Sequence, residues 1–119
     1  MKINILIVDN DALLIKILAD FLSKDNRFNV LTALNGKVAL EIVKKHKVEL
    51  AIMDLKMPEM NGIELLSTLR KDIPDIKAII LTGHSDIDSY IEIMELGAFE
   101  YLNKPVDLDL LKEVINKLL

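Results

Sequence analysis

An α/β fold is predicted for this 119-residue chain, with a single doubly wound, five-stranded parallel sheet and five helices. Three observations predict it. Short aliphatic, often β-branched runs alternate with segments whose apolar residues recur at helical spacing, and a parallel sheet with right-handed helical crossovers satisfies that alternation. All four glycines and all three prolines fall in or beside the intervening connectors. The chemically useful polar residues follow the ends of the apolar runs, where open parallel sheets bind ligands.

Residues 3 to 8, INILIV, form a nearly continuous apolar run closed by Asp9, which suits a strand covered on both faces. The segment after it carries Leu14, Ile17, Leu18, Phe21 and Leu22 at i, i+3, i+4, i+7 and i+8, the spacing of one helical stripe. A second strand is expected at Asn29–Ala33, followed by a helix with Val38, Ala39, Ile42 and Val43 inward. The cluster Lys44, Lys45, His46, Lys47 then ends that helix, where cations complement the negative end of the dipole. A third strand is expected at Leu50–Asp54, with Ile63, Leu66 and Leu69 marking its helix. The fourth strand, Ala78–Leu81, precedes a helix with Ile87, Tyr90, Ile91 and Met94 inward, and Ser85 stands at its N-cap position. A weaker run at Phe99–Leu102 supplies the fifth strand, and Asp107 is placed to cap a last helix that buries Leu111, Val114, Ile115 and Leu118.

Length and composition narrow the function. The chain suits one domain and can bury a core without metal or disulfides. It has no cysteine, which removes disulfide scaffolds, thiolate zinc sites and cysteine nucleophiles together. A net charge of −4 disfavours direct contact with nucleic acid through phosphate neutralisation. The opening apolar run is too short for a signal peptide or a membrane span, so a cytoplasmic protein with no membrane partner is expected.

The polar groups converge on one rim. Asp9, Asn10 and Asp11 follow the first strand, Asp54 ends the third, Thr82 follows the fourth, and the fifth runs into Lys104. Each has an ordinary structural use as a helix cap, a local hydrogen-bonder or a solvated cation. Together they make an oxygen-rich site with a nearby ammonium, which suits Mg²⁺. Without cysteine, and with no serine paired to a histidine and an acid at suggestive positions, the best nucleophile is a carboxylate. Aspartate is an established phosphoryl acceptor, and phosphoryl transfer needs positioning and charge neutralisation more than proton chemistry.

The motifs that carry a family resemblance run in order along the whole chain: the acidic cluster after ILIV, MDLKMPEMNG at 53–62, LTGHSD at 81–86 and GAFEYLNKP at 97–105. The chain resembles the receiver domain of two-component response regulators, over residues 1–119, and most of all receivers attached to enhancer-binding transcriptional activators. The resemblance implies the flavodoxin-like strand order 2-1-3-4-5. It implies that Asp54 accepts a phosphoryl group from a sensor histidine kinase, with Asp9, Asn10, Asp54 and the carbonyl of Lys56 around Mg²⁺. Thr82 would bond a phosphoryl oxygen, Lys104 would pair with the carboxylate or its phosphate, and Tyr101 would be the switch aromatic moving with Thr82. The Lys104–Pro105 bond is expected to be cis. The implied output surface, roughly Asp86–Leu119, would act on a downstream output domain or protein or form a phosphorylation-dependent homodimer. Any output would then act through another chain or a segment outside this one.

Asn10 departs from the family pattern, which has two adjacent carboxylates here. An amide oxygen can coordinate a hard cation, but with less charge and weaker affinity. Helix capping explains Asp11 better than compensation does. Lys56 and His84 stand two residues after Asp54 and Thr82, and the resemblance implies that side chains at these positions influence how fast water removes the phosphate. A pseudo-receiver that acts without phosphorylation is the alternative Asn10 supports. A haloacid-dehalogenase-type phosphatase fits the spacing of Asp9 and Asp11 but needs a longer chain and Thr or Val at residue 13, where Leu13 stands. A flavodoxin-like carrier needs a phosphate loop where the chain has DNDALL.

Overall fold

The computed structural model describes residues 2–83, 87–98 and 100–119, with the side chains of residues 87–90 outside the description. Strands β1 (Ile3–Val8), β2 (Phe28–Ala33), β3 (Leu50–Asp54), β4 (Lys77–Thr82) and β5 (Glu100–Asn103) alternate with helices α1 (Ala12–Ser23), α2 (Gly36–Lys45), α3 (Gly62–Asp72), α4 (Ile87–Glu95) and α5 (Leu108–Leu118). All strand pairs are parallel, in the order β2-β1-β3-β4-β5. The order doubles back at β1, so β1 and β3 part their loops there and open a crevice at their carboxyl ends.

Strand alternation sorts the core into two layers. Leu6, Val8, Ala51, Met53, Ala78 and Ile80 face Ala39 of α2, Leu65, Leu66 and Leu69 of α3 and Ile93 of α4. Ile5, Ile7, Leu50, Ile52, Ile79 and Leu81 face Ile15, Leu18 and Leu22 of α1 and Leu111, Val114 and Ile115 of α5. β1 and β3 are central and covered on both sides, which is why their sequences lack polar alternation.

Strand predictions hold closely, with β2 starting one residue earlier, β4 longer at both ends and β5 shifted toward Asn103; Phe99 lies outside the described residues. The buried helix faces differ more from expectation. In α1 the buried line is Ile15, Leu18 and Leu22, while Ile17, expected inward, is 45% exposed. The segment holds so many apolar residues that two stripes fit helical spacing, and the sheet selects the one starting at Ile15. In α2 only Gly36 and Ala39 are buried and Val38 is exposed. In α3 Leu65 joins Leu66 and Leu69 while Ile63 is half-buried. In α4 Ile93 is buried, and Ile91, expected inward, is 50% exposed. The Ser85 cap and the Ile87 and Tyr90 packing lie outside the described residues.

Asp107 caps α5 as predicted, accepting the Leu110 N–H at 3.1 Å. Lys44 and Lys45 occupy the last turn of α2, as expected from the dipole. At the far end of the sheet, the Arg70 guanidinium donates to the Pro74 carbonyl at 2.8 Å and the Gly97 carbonyl at 2.5 Å, tying α3 to the exit of α4. Among the described residues no helix is long and apolar enough to cross a membrane.

Candidate phosphoryl site

Asp9 leaves β1 at the switch point and is fully buried, with its backbone N–H held by the Ala33 carbonyl at 3.1 Å. Asp54 is the last residue of β3 and 6% exposed. Lys104 follows β5, its N–H bonded to the Thr82 carbonyl at 2.6 Å and its peptide bond to Pro105 cis, as expected. This backbone placement brings the three side chains together. The Lys104 Nζ lies 2.8 Å from Asp9 Oδ2 and 3.4 Å from Asp54 Oδ1.

The lysine pairs with Asp54, as the resemblance implies, and lies closer still to Asp9. Asp9 spends both oxygens within the chain, since its Oδ1 also accepts the Asp11 N–H at 2.9 Å. Asp54 Oδ1 takes a long bond from the Lys56 N–H, 3.4 Å, which orients the carboxylate across the turn after β3. Burial, reinforced by the Asp9 charge, pushes the Asp54 carboxyl above its ordinary pKa, and the Lys104 charge and the Lys56 N–H offset this only in part. Burial works against the charge of Lys104, but the bond to Asp9 and the two carboxylates outweigh it and hold its pKa above the usual lysine value.

Thr82 is buried at the end of β4, and Tyr101 of β5 is paired in register with Ile80, two residues before Thr82. Tyr101 and Ile80 belong to the same core layer. By period two Thr82 has the same facing as Ile80, so Thr82 and Tyr101 are diagonal neighbours on one face of the sheet. Asn10 is exposed beside Asp9. Asp11 is the N-cap of α1, its Oδ1 accepting the N–H groups of Leu13 and Leu14 at 3.1 and 3.2 Å. Capping thus accounts for Asp11. The Lys56 side chain is exposed, and His84 lies outside the described residues.

A glycine in the turn after β3 also shapes the site directly. Gly62, at the start of α3, packs so tightly on the end of β3 that a Cβ there would sit 2.5 Å from the Asp54 carbonyl oxygen and 3.2 Å from Leu55 Cα. Its N–H bonds the Leu55 carbonyl at 2.9 Å, and Leu55 N–H bonds the Leu81 carbonyl at 2.8 Å. The Asn-Gly pair at the end of MPEMNG was the available signal, because glycine before a helix often marks close backbone approach. In the same loop Glu59 has φ of +68°, an uncommon conformation for a residue with a side chain.

The donor set suits a hard divalent cation. Asp9 and Asp54 offer carboxylates, Asn10 an amide oxygen and Lys56 a backbone carbonyl. Among the described residues no group of three or more His, Cys, Asp or Glu side chains is gathered for a metal.

Residues 5–116 match the family model for the response regulator receiver domain. The chain is 36% identical over 119 residues to sporulation initiation phosphotransferase F of Bacillus subtilis (strain 168), covering all of this chain and 95% of that protein. It is 37% identical over 113 residues to transcriptional regulatory protein GlrR of Escherichia coli (strain K12), covering 95% of this chain and 25% of that one. The chain thus spans about a quarter of the length of such transcriptional regulators. A response regulator receiver domain protein from Methanospirillum hungatei JF-1 superposes with a TM-score of 0.91 at 31% identity, over 99% of this chain and 94% of that structure. Receiver domains generally bind Mg²⁺ at the phosphorylation site. Sheet order, the rim of Asp9, Asp54, Thr82 and Lys104, and a match across nearly the whole length agree: this chain belongs to the receiver domain family of two-component response regulators.

Proposed function

We propose that residues 1–119 act as one cytoplasmic receiver unit in which Asp54 accepts a phosphoryl group, in a Mg²⁺-dependent reaction, from a phosphohistidine of a sensor histidine kinase. The observation that carries this reading is the buried Asp54 carboxylate at the end of β3 with the Lys104 ammonium 3.4 Å away. An Asp54 oxygen attacks phosphorus, the bond to the donor nitrogen breaks, and the imidazole leaves with the electron pair. Lys104 and the Thr82 hydroxyl neutralise and bond the phosphoryl oxygens, the positioning and electrostatic work that phosphoryl transfer demands. Asp9, Asn10, Asp54 and the Lys56 carbonyl would hold Mg²⁺, which would supply charge neutralisation on the transferring group.

Thr82 and Tyr101, diagonal on one sheet face, form the element through which phosphorylation favours a second arrangement of the α4-β5-α5 surface. That surface addresses a downstream output domain or protein, or a second phosphorylated copy. The neutral Asn10 leaves phosphorylation intact with a raised Mg²⁺ requirement, and Asn10→Asp lowers the Mg²⁺ concentration for half-maximal phosphorylation.

The test is incubation with acetyl phosphate and Mg²⁺, followed by intact-mass measurement. An adduct on the wild type and none on Asp54→Ala is expected. A wild type without an adduct over the full Mg²⁺ range would refute the reading and favour a pseudo-receiver.

A further inference from the structure

Asn35-Gly36 before α2 and Asn61-Gly62 before α3 occupy equivalent places, and an asparagine followed by glycine is a reactive unit. Glycine has no side chain to shield its amide nitrogen, which can attack the preceding side-chain carbonyl carbon in an intramolecular step. In both pairs the asparagine backbone is extended, with ψ of 172° and 174°, and the side chain caps the helix. Ring closure needs the glycine amide to turn out of that arrangement, so whatever holds the glycine governs the reaction.

At Asn61 the glycine is held. The first N–H groups of a helix lack partners within it, but the Gly62 N–H is taken by the Leu55 carbonyl at 2.9 Å. Main chain also blocks the turn, since a Cβ on Gly62 would lie 2.5 Å from the Asp54 carbonyl oxygen. The Asn61 N–H donates back to Glu64 Oε1 at 3.3 Å, and Asn61 is half-buried. At Asn35 these restraints are lifted. No backbone carbonyl among the described residues takes the Gly36 N–H. The atoms nearest a Cβ on Gly36 belong to the flexible Met60 side chain, Val38 stands where α3 has Glu64, and Asn35 is exposed to water.

We infer that Asn35 is a site of spontaneous deamidation, while the packing of α3 on β3 protects Asn61. Hydroxide takes the Gly36 amide proton, and the nitrogen attacks the Asn35 side-chain carbonyl carbon. The tetrahedral adduct collapses and expels ammonia, which leaves with the bonding electron pair and a proton from water. Water then opens the cyclic imide at either carbonyl, leaving aspartate or isoaspartate at position 35. The aspartate form keeps the cap and adds a charge that suits the start of α2. Isoaspartate lengthens the main chain by one carbon and displaces the cap. The modification falls on the loop after Ala33, whose carbonyl holds the Asp9 N–H, and spares the pair that backs Asp54.

The test is incubation of the whole chain at mildly alkaline pH, folded and in concentrated urea, followed by peptide mapping that resolves isoaspartate. In urea the two pairs should react at similar rates. In the folded chain position 35 should react about tenfold or more faster than position 61, because opening at Gly62 must break a bond and displace main chain. Gly36→Ala, its fold checked by a thermal melt, should slow the reaction at position 35 by about threefold or more, as a methyl group shields the nitrogen, and leave position 61 unchanged. Equal rates at both positions in the folded chain, or a faster reaction at position 61, would overturn the inference. So would silence at both positions in the folded chain with reaction in urea, because the Asn35 cap alone would then suffice as protection.

Discussion

The chain contains two Asn-Gly pairs at helix starts, Asn35-Gly36 at α2 and Asn61-Gly62 at α3, and they should respond oppositely to alanine. Each asparagine is the N-cap of its helix, accepting the Val38 or Glu64 N–H at 2.9 Å, so the side-chain cap is alike, although α3 adds a capping box through Glu64. What a methyl group would meet is different. At Gly36 the nearest atoms are Sδ, Cγ and Cβ of Met60, at 2.7, 3.1 and 3.2 Å. Met60 is partly buried on an unbranched, adaptable side chain that can swing away. At Gly62 the methyl would meet backbone: the Asp54 carbonyl oxygen at 2.5 Å and Leu55 Cα at 3.2 Å. Backbone in a central strand, pinned by the Leu55 to Leu81 bond, cannot rotate out of the way.

Relieving the contact at Gly62 needs a displacement of roughly half an ångström or more at Asp54 itself, and overpacking of this kind costs about 1–3 kcal/mol. The upper part of that range applies because the obstacle is main chain. For a domain of this size, 2–3 kcal/mol corresponds to a fall in Tm of roughly 8–12 °C. Gly36→Ala should lie within about 0.5 kcal/mol of the wild type, the gain from a better helix former offsetting the shift of Met60. Because the displaced residue is the proposed acceptor, Gly62→Ala should also slow acetyl phosphate labelling by about tenfold or more at a temperature where it is folded. Denaturant titrations and intact-mass time courses read the two effects. A Gly62→Ala protein no less stable than Gly36→Ala would refute the claim that the α3 start is packed on Asp54.

Asp54→Asn should stabilise the fold at neutral pH, since burial and Asp9 hold the Asp54 pKa above its ordinary value of 3.8 and make its ionised form a liability in the folded state. The folded chain binds more protons than the unfolded one between 3.8 and the raised value, so stability falls as pH rises through that window. The advantage of Asp54→Asn, measured by urea titration, should therefore shrink on acidification and vanish near the lower end of that window. Asp11→Ala should cost about 1 kcal/mol by loss of the α1 cap, with Asp11→Asn near neutral. Neither Asp11 variant should raise the Mg²⁺ concentration for half-maximal labelling by as much as threefold. A larger rise in both would return Asp11 to the metal set.

How far the sequence announces the fold depends on how each element is covered. β1 and β3 are buried on both faces, so their code is a plain apolar run, and INILIV and LAIMD were bounded correctly from sequence. Helices bury one stripe, and a sequence with surplus apolar residues offers several. Ile17, Val38 and Ile91 fit helical spacing and yet are 45%, 37% and 50% exposed, because the choice among stripes is made by the angle at which each helix meets the sheet. No local pattern encodes that angle. Gly62 was visible as a glycine but not as the residue that backs Asp54, since the close approach exists only once α3 folds back over β3.

The site shows the same division between what is local and what is assembled. Asp9, Asp54, Thr82 and Lys104 were legible because each follows a strand, and parallel topology sends all strand ends to one edge. Their partnership was not. Lys104 and Asp9 are 95 positions apart, and nothing near either residue says that the ammonium sits 2.8 Å from Asp9 and 3.4 Å from Asp54. That preference follows from the switch point, where β1 carries Asp9 deep between its neighbours while Asp54 keeps a small opening to solvent. The better-desolvated carboxylate has the greater need of a counter-ion and takes the larger share of the lysine. Asp54 keeps the smaller share of the lysine, and burial together with the Asp9 charge raises its pKa. The unequal sharing of Lys104 thus follows strand order, which buries Asp9 fully and Asp54 slightly less, rather than the identity of the two aspartates.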